Sequence, residues 1–137
     1  MLGFTFKQIH IAFESCCNKN LQQYNLTHSQ MDVLVYLKHH ENSTVTQRDL
    51  EAGLGLKNPT ITGILNRLEN KNLITRETNS NDRRSKIIKI TDKSKSVIEK
   101  TYIHIEELES EIVKGFSDEE KEELAILLDK VLNNTTL

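Results

Sequence analysis

The stretch "LGLKNPTITGILNRLENKN", residues 54–72, decides the fold. Asn58 is a good N-cap and Pro59 a good first helical residue, so a helix is expected to begin there. Ile61, Ile64, Leu65 and Leu68 then recur at i, i+3, i+4 and i+7, the spacing of a stripe that faces a core. The other face shows Thr60, Thr62, Gly63, Asn66 and Arg67. Just upstream, "TQRDLEAG" (residues 46–53) reads as a short helix capped by Thr46, and Leu54-Gly55-Leu56 as a tight turn. Two short helices about a glycine-containing turn outline a helix-turn-helix, with Leu50, Leu54, Leu56, Ile61 and Ile64 buried.

The next residues extend the motif. "LITRET" (73–78) and "SKIIKIT" (85–91) are strand-like, and Asn79, Ser80, Asn81 and Asp82 between them are turn formers. The hairpin they predict carries adjacent arginines, Arg83 and Arg84, at its tip. Alone, such a pair reads as an ordinary solvated turn. Directly after a helix-turn-helix it reads as a wing. The second helix is then placed to enter a DNA major groove through its N-terminal residues while the wing reaches the adjacent minor groove. Arginine suits that groove because its guanidinium is weakly hydrated and drawn to the strong negative potential there. Asp82, two residues before Arg84, is placed to orient one guanidinium, and Lys86 and Lys89 on the returning strand to meet phosphates.

Helices are expected on both sides of this unit. Phe6, Ile9, Phe13, Cys16, Leu21 and Tyr24 step by three to five residues along an amphipathic helix. "LTHSQMDVLVYLKHH" (26–40) reads as a buried supporting helix capped by Thr27, followed by "NSTV" as a short loop. Thr91 opens a long helix with a stripe through Ile98, Tyr102, Ile105 and Ile112, broken at Gly115-Phe116. "SDEE" (117–120) is a capping box for a last helix that turns Leu124, Leu127, Leu128 and Val131 to one side. The terminal helices hold more apolar surface than so short a chain should cover alone. A homodimer is therefore expected, through Phe6, Ile9 and Phe13 at one end and Leu124, Leu128 and Val131 at the other. The fold class is mainly α with a small β-hairpin wing: one domain over 1–137, with residues 26–93 as the winged helix-turn-helix lobe and 1–25 and 94–137 as dimerisation helices.

Charge points the same way. The net formal charge is −2, yet Lys57–Lys93 holds nine Lys or Arg against four acids, a local +5, which leaves −7 elsewhere. A basic middle between acidic ends suits a polyanion on one face. No run of about 18 apolar residues suggests a membrane span. Lys7, Gln8, His10 and Glu14 interrupt the start, so it does not read as a secretory signal, and two cysteines without one suit a reducing cytoplasm.

Other chemistries find little support. Cys16 and Cys17 are adjacent, so on a helix they point about 100° apart, with Cα atoms closer than disulfides favour. Lys19 is the one nearby cation and Glu14 opposes it, which favours structural thiols over a redox sensor. His39-His40 suits a helix C-terminus electrostatically, and His10, His28 and His104 show no ligand spacing, so neither metal nor cofactor is expected. Gly-rich phosphate loops, nucleophile elbows and His-Glu-x-x-His are lacking, and the chain does not read as an enzyme. A winged helix that docks protein, or a thiol-based regulator, is the alternative to a DNA-binding regulator.

The motifs together resemble the MarR-type (multiple antibiotic resistance regulator) transcription factors. "LTHSQMDVLVYL" is similar to that family's helix before the DNA-binding motif, and "TQRDLEAGLGLKNPTITGILNRLENKNLITRE" to its helix-turn-helix and first wing strand. "NDRRSKIIKIT" looks like its wing signature and "FSDEEKEELAILLDKVL" like its closing helix, so the likeness spans about residues 26–133. The resemblance implies a homodimer with intertwined first, fifth and sixth helices and two winged lobes on palindromic double-stranded DNA. Repression relieved by a small molecule or an oxidant is the usual mode. Carried over by position, the base-reading helix is Pro59–Asn70 with Asn58, Thr60 and Thr62 near DNA, and Arg83 and Arg84 form the wing tip. Effectors in the family sit between the dimerisation helices and the lobe. That places His10, Phe13, Tyr36 and Tyr102 as walls for a small aromatic ligand. Gly63 stands where the family often has arginine, and Glu51 where many helix-turn-helix motifs have a small residue.

Overall fold

The computed structural model describes residues 1–136. Contacts divide the chain into two compact units, one over Met1–Ile103 and one beginning at His104. The first holds α1 (Leu2–Gln22), α2 (His28–His39), α3 (Gln47–Leu54), α4 (Asn58–Asn70), β1 (Ile74–Asn79), β2 (Asp82–Ile90) and the start of α5 (Asp92–Ile112). The second holds the rest of α5 and α6 (Asp118–Thr135). No helix among the described residues is long and apolar enough to cross a membrane.

Helix starts follow their caps. Thr27, Thr46 and Ser117 each accept from the backbone N–H three residues on, and Gln30, Asp49 and Glu120 return the bond. Thr91 and Ser94 make the same reciprocal pair at the head of α5, with bonds of 2.9 and 3.3 Å. Gly55 ends α3 at φ 64°, the left-handed position that lets the chain turn sharply into α4.

The core of the first unit is where the helical spacings put it. Leu34 of α2, Leu50 of α3, Ile61, Leu65 and Leu68 of α4, Ile74 of β1 and Ile98 of α5 are fully buried. Leu54 and Leu56 pack half-buried at its edge. β1 and β2 pair antiparallel from Ile74↔Ile90 to Thr78↔Lys86. Glu41, after α2, meets Lys95 of α5 and Lys38, and these hydrogen bonds hold its carboxyl below the ordinary value, Lys95 contributing most.

Three local features differ from the sequence reading. The N-cap of α4 is Lys57, one residue early, and Asn58 is already helical. The segment read as a loop before α3 joins the hairpin: Thr46 bridges Ile87, and the Ile88 amide donates to Val45 O at 2.8 Å. Burial of Val45 explains the addition, since its carbonyl needs a partner inside the fold. The hairpin turn is also tighter, because Asn79 pairs with Asp82 and leaves Ser80-Asn81 as the loop. The pairing then slips, so Arg83, Arg84 and Ser85 lie in a bulge beyond the turn rather than on it.

In the second unit Gly115, at φ 84°, stands between α5 and α6. α6 has no buried residue, and Ile126, Leu127, Leu128 and Leu132 are all exposed.

Candidate nucleic-acid interface

With Ile61, Ile64, Leu65 and Leu68 inside, α4 turns Pro59, Gly63, Asn66 and Asn70 outward by its helical period. Pro59, Thr60, Asn66 and Arg67 are exposed, and Gly63 is half-buried. The Arg67 guanidinium explains the last point. Its Nη1 lies 3.4 Å from where a Cβ on Gly63 would stand, so Arg67 lies over the helix at that position.

Two grooves flank this crest. One, of about 940 Å³, runs between Thr60, Gly63 and Arg67 and the turn joining α1 to α2. Lys71 closes its end by donating to Asn25 O and, at 3.0 Å, to Gln30 Oε1. Burial, and secondarily Arg67, pushes the Lys71 ammonium below its ordinary pKa. Lys71 therefore pins α4 to its support.

The other groove, of about 690 Å³, lies between the head of α3, Asn58 and the wing. Arg48, Arg76, Arg84 and Lys86 line it against Glu51 and Asp82, an excess of cations. Arg48 and Arg76 escaped the sequence reading. Arg48 lies outside the basic stretch that begins at Lys57, and nothing in a lone strand arginine marks what Arg76 grips. It binds Glu69 through two bonds of 3.1 and 3.0 Å and Asn66 Oδ1 at 2.7 Å, bracing the wing root against α4.

The brace has a pH signature. The hydrogen bond from Arg76 holds the Glu69 carboxyl below its ordinary 4.5 and raises Arg76 in turn. A depressed carboxyl contributes stability that is fully present above about pH 4.5 and lost as pH falls through the lower folded value. Arg76→Ala is therefore expected to lower the thermal midpoint at neutral pH, with the gap from wild type narrowing below pH 4.5. Thermal melts across that range check this, and a constant gap would mean the ion pair contributes nothing.

At the wing, Arg83, Arg84 and Lys86 are exposed. Asp82 engages both the backbone and, more loosely, the side chain of Arg84. Its Oδ1 accepts from the backbone amide of Arg84 at 3.0 Å, while the guanidinium Nε stands 3.9 Å away on a side chain 97% exposed. The carboxylate shapes the bulge and holds the guanidinium only through a long ion pair. Asn79 Nδ2 closes the bulge by donating to Ser85 Oγ at 3.1 Å.

Asn58 and Thr62 are not simply presented to solvent. Asn58 donates to Glu51, and Thr62 accepts from Gln47, which turns both side chains toward α3.

The four residues assigned to an effector wall come from three helices: His10 and Phe13 from α1, Tyr36 from α2 and Tyr102 from α5. His10 is exposed and meets Glu14 at 3.4 Å, and Phe13 is half-buried on the same helix. Tyr36 stacks on His40 at 4.0 Å between ring centres, and the Tyr102 hydroxyl lies 3.2 Å from His39 Nε2. None of the four lines either groove described above. Cys16 is exposed and Cys17 buried; burial first, then Cys16 and Glu14, push the Cys17 thiol above its ordinary pKa, away from a reactive thiolate. Among the described residues no three His, Cys, Asp or Glu side chains gather as a metal site.

A helix-turn-helix with an uncovered crest, followed by a cationic hairpin braced to it, defines a winged helix-turn-helix protein. Residues 24–85 match the sequence profile of the MarR family. The Staphylococcus aureus MepR–DNA complex is 30% identical over 96% of this chain and 98% of that one, with a TM-score of 0.80. The chain belongs to the MarR family of transcription regulators. MepR, a transcription regulator of the S. aureus multidrug efflux pump MepA, superimposes with a TM-score of 0.88 at 28% identity over 98% of both chains. MepR bound to ethidium bromide matches at 0.73 and 29%, over 98% of this chain and 96% of that one.

Proposed function

We propose that this protein is a non-enzymatic cytoplasmic repressor that binds a palindromic operator in double-stranded DNA as a homodimer and is released by a small molecule. One observation carries the reading: the exposed wing cations Arg84 and Lys86 line one groove with Arg48, Arg76 and Asn58 at the head of α4, where a phosphate backbone would meet positive charge. Pro59, Thr60, Gly63, Asn66 and Arg67 supply the base-facing surface, with Asn58 and Thr62 at its head. The DNA complex of MepR, at 30% identity, supports the same use of the fold. Apolar side chains exposed on α1 and α6 support the dimer. For release, MepR bound to ethidium bromide makes an aromatic effector the leading class. Tyr36 and Tyr102, with His10 and Phe13, are the rings offered for it.

The deciding experiment is fluorescence anisotropy on duplex DNA across a salt series with random competitor. Affinity is expected to fall linearly on logarithmic axes, with a slope near −0.9 per phosphate neutralised. A salt-independent interaction, or none, would return the wing to a protein-docking role.

A further inference from the structure

We propose that Lys71 is a positioning residue that fixes the half-site spacing the protein accepts. It does so by setting the angle of α4 against the helices that pair two chains, an inference that rests on the DNA-binding and dimer reading above. The C-terminal end of α4 is a junction. Lys71 Nζ donates to the Asn25 carbonyl in the turn after α1 and, at 3.0 Å, to Gln30 Oε1 in the first turn of α2. The carbonyl of the same lysine accepts from Lys93 Nζ, in the first turn of α5, at 2.9 Å. Beside it the Asn72 carbonyl accepts from Thr91 Oγ1 at 2.8 Å, and the Leu73 carbonyl from the Thr91 amide at 3.3 Å. One end of the base-reading helix is thus tied to both α1 and α5. Those two helices carry uncovered apolar side chains: Phe4, Phe6, Ile9 and Ile11 on α1, Ile103 and Ile112 on α5.

The chemistry of the tie suits a fixed angle. Apolar packing is non-directional, whereas a hydrogen bond holds a narrow range of length and direction. Both acceptors of Lys71 are themselves held in place. Asn25 stands at φ 54°, a left-handed conformation that asparagine tolerates and most residues avoid, so its turn has one shape. Gln30 is 4% exposed, and its Oε1 also accepts from the Thr27 amide at 3.3 Å.

The lever is long. α1 has 21 residues and so spans about 30 Å. A tilt of about 6° at one end of such a helix moves the other by about 3 Å. That is close to the rise of one base pair, roughly 3.4 Å. In a two-fold dimer both lobes contribute, and the change doubles. Without the Lys71 tie, neighbouring spacings become accessible.

The test uses the full chain and half-sites that the wild type selects from randomised duplexes. These are rebuilt as palindromes at the selected spacing and at spacings up to about two base pairs shorter or longer, beside a single half-site. Wild type should prefer one spacing by about tenfold or more. Lys71→Met, which keeps the apolar stem, should reduce that preference to about threefold or less, with half-site affinity and its salt slope unchanged. The slope matters because Lys71 also lines the groove beside Thr60 and Arg67, and a lost phosphate contact would lower it by about one. Lys93→Ala, at an exposed position, should broaden the preference in the same direction and serves if Lys71→Met does not fold. A preference as sharp as wild type in Lys71→Met, or in Lys93→Ala where that stands in, overturns the proposal. So does an equal loss on half-site and palindrome, because Lys71 would then act on binding itself. A wild-type dimer that binds duplex with no preferred spacing rejects this inference alone. A wild type that retains no duplex, or binds single half-sites as a monomer, rejects the reading beneath it as well.

Discussion

Replacing Leu128 and Val131 together with aspartate is expected to abolish specific operator binding while leaving each chain folded. The two side chains are 45% and 36% exposed, so a single chain loses little packing when they change. In a two-fold interface the same two positions count twice. Burying a fully exposed aliphatic side chain contributes about 1.5–3 kcal/mol, so with only these fractions still exposed the four together represent roughly 2–5 kcal/mol. Association in the micromolar to nanomolar range has a free energy of about −8 to −12 kcal/mol, so this loss together with the cost of burying four carboxylates removes most of it. One lobe then reads one half-site. Two lobes, with half-site centres about 10 bp apart, read a palindrome. Sedimentation at micromolar concentration should show the wild type as a dimer and the variant as a monomer, with circular dichroism unchanged. A monomeric wild type, or a half-site bound as tightly as the full palindrome, would remove the dimer from the mechanism.

The fold was legible because its signals are local. Three capping boxes, a glycine at a left-handed position and one apolar stripe per helix each act within a few residues. The observed starts at Thr27, Thr46 and Ser117 follow from them. What escaped was non-local. Val45 and Thr46 join β2 through a bridge whose partner lies some forty residues on, and no local pattern encodes it. The start of α4 moved by one residue because the Asn58 amide found Glu51, seven residues back, rather than its own helix end.

The site was legible in type and less so in state. The sequence located the crest of α4 and the wing cations, since a helical period and a hairpin suffice for that. It did not show which of those side chains were already engaged. Asn66 is held by Arg76, and Thr62 by Gln47, through bonds that span ten and fifteen residues. Nor did it show that Asp82 binds the backbone of the wing as well as pairing with a guanidinium, because the register shift after Thr78 creates that geometry.

The loose hold on that guanidinium governs the second large effect. Arg84→Ala is expected to weaken operator binding by about 1–3 kcal/mol, the cost of one charge-assisted contact in a groove, without changing the thermal midpoint. Arg84 is 97% exposed and its ion pair with Asp82 is 3.9 Å long, so the folded chain has almost nothing to lose. The backbone bond from Arg84 N–H to Asp82 survives the substitution and keeps the bulge shaped. Lysine should rescue only in part, because it restores the charge but hydrates more strongly than a guanidinium in a narrow groove. The salt slope should fall by about one in the alanine variant if the contact is to phosphate. If the contact lies in the minor groove, the loss should be largest on sites flanked by A-tracts, where the groove is narrow and the potential strongest. Affinity unchanged at moderate salt, with folding intact, would mean that the wing does not touch the operator and that α4 reads it alone.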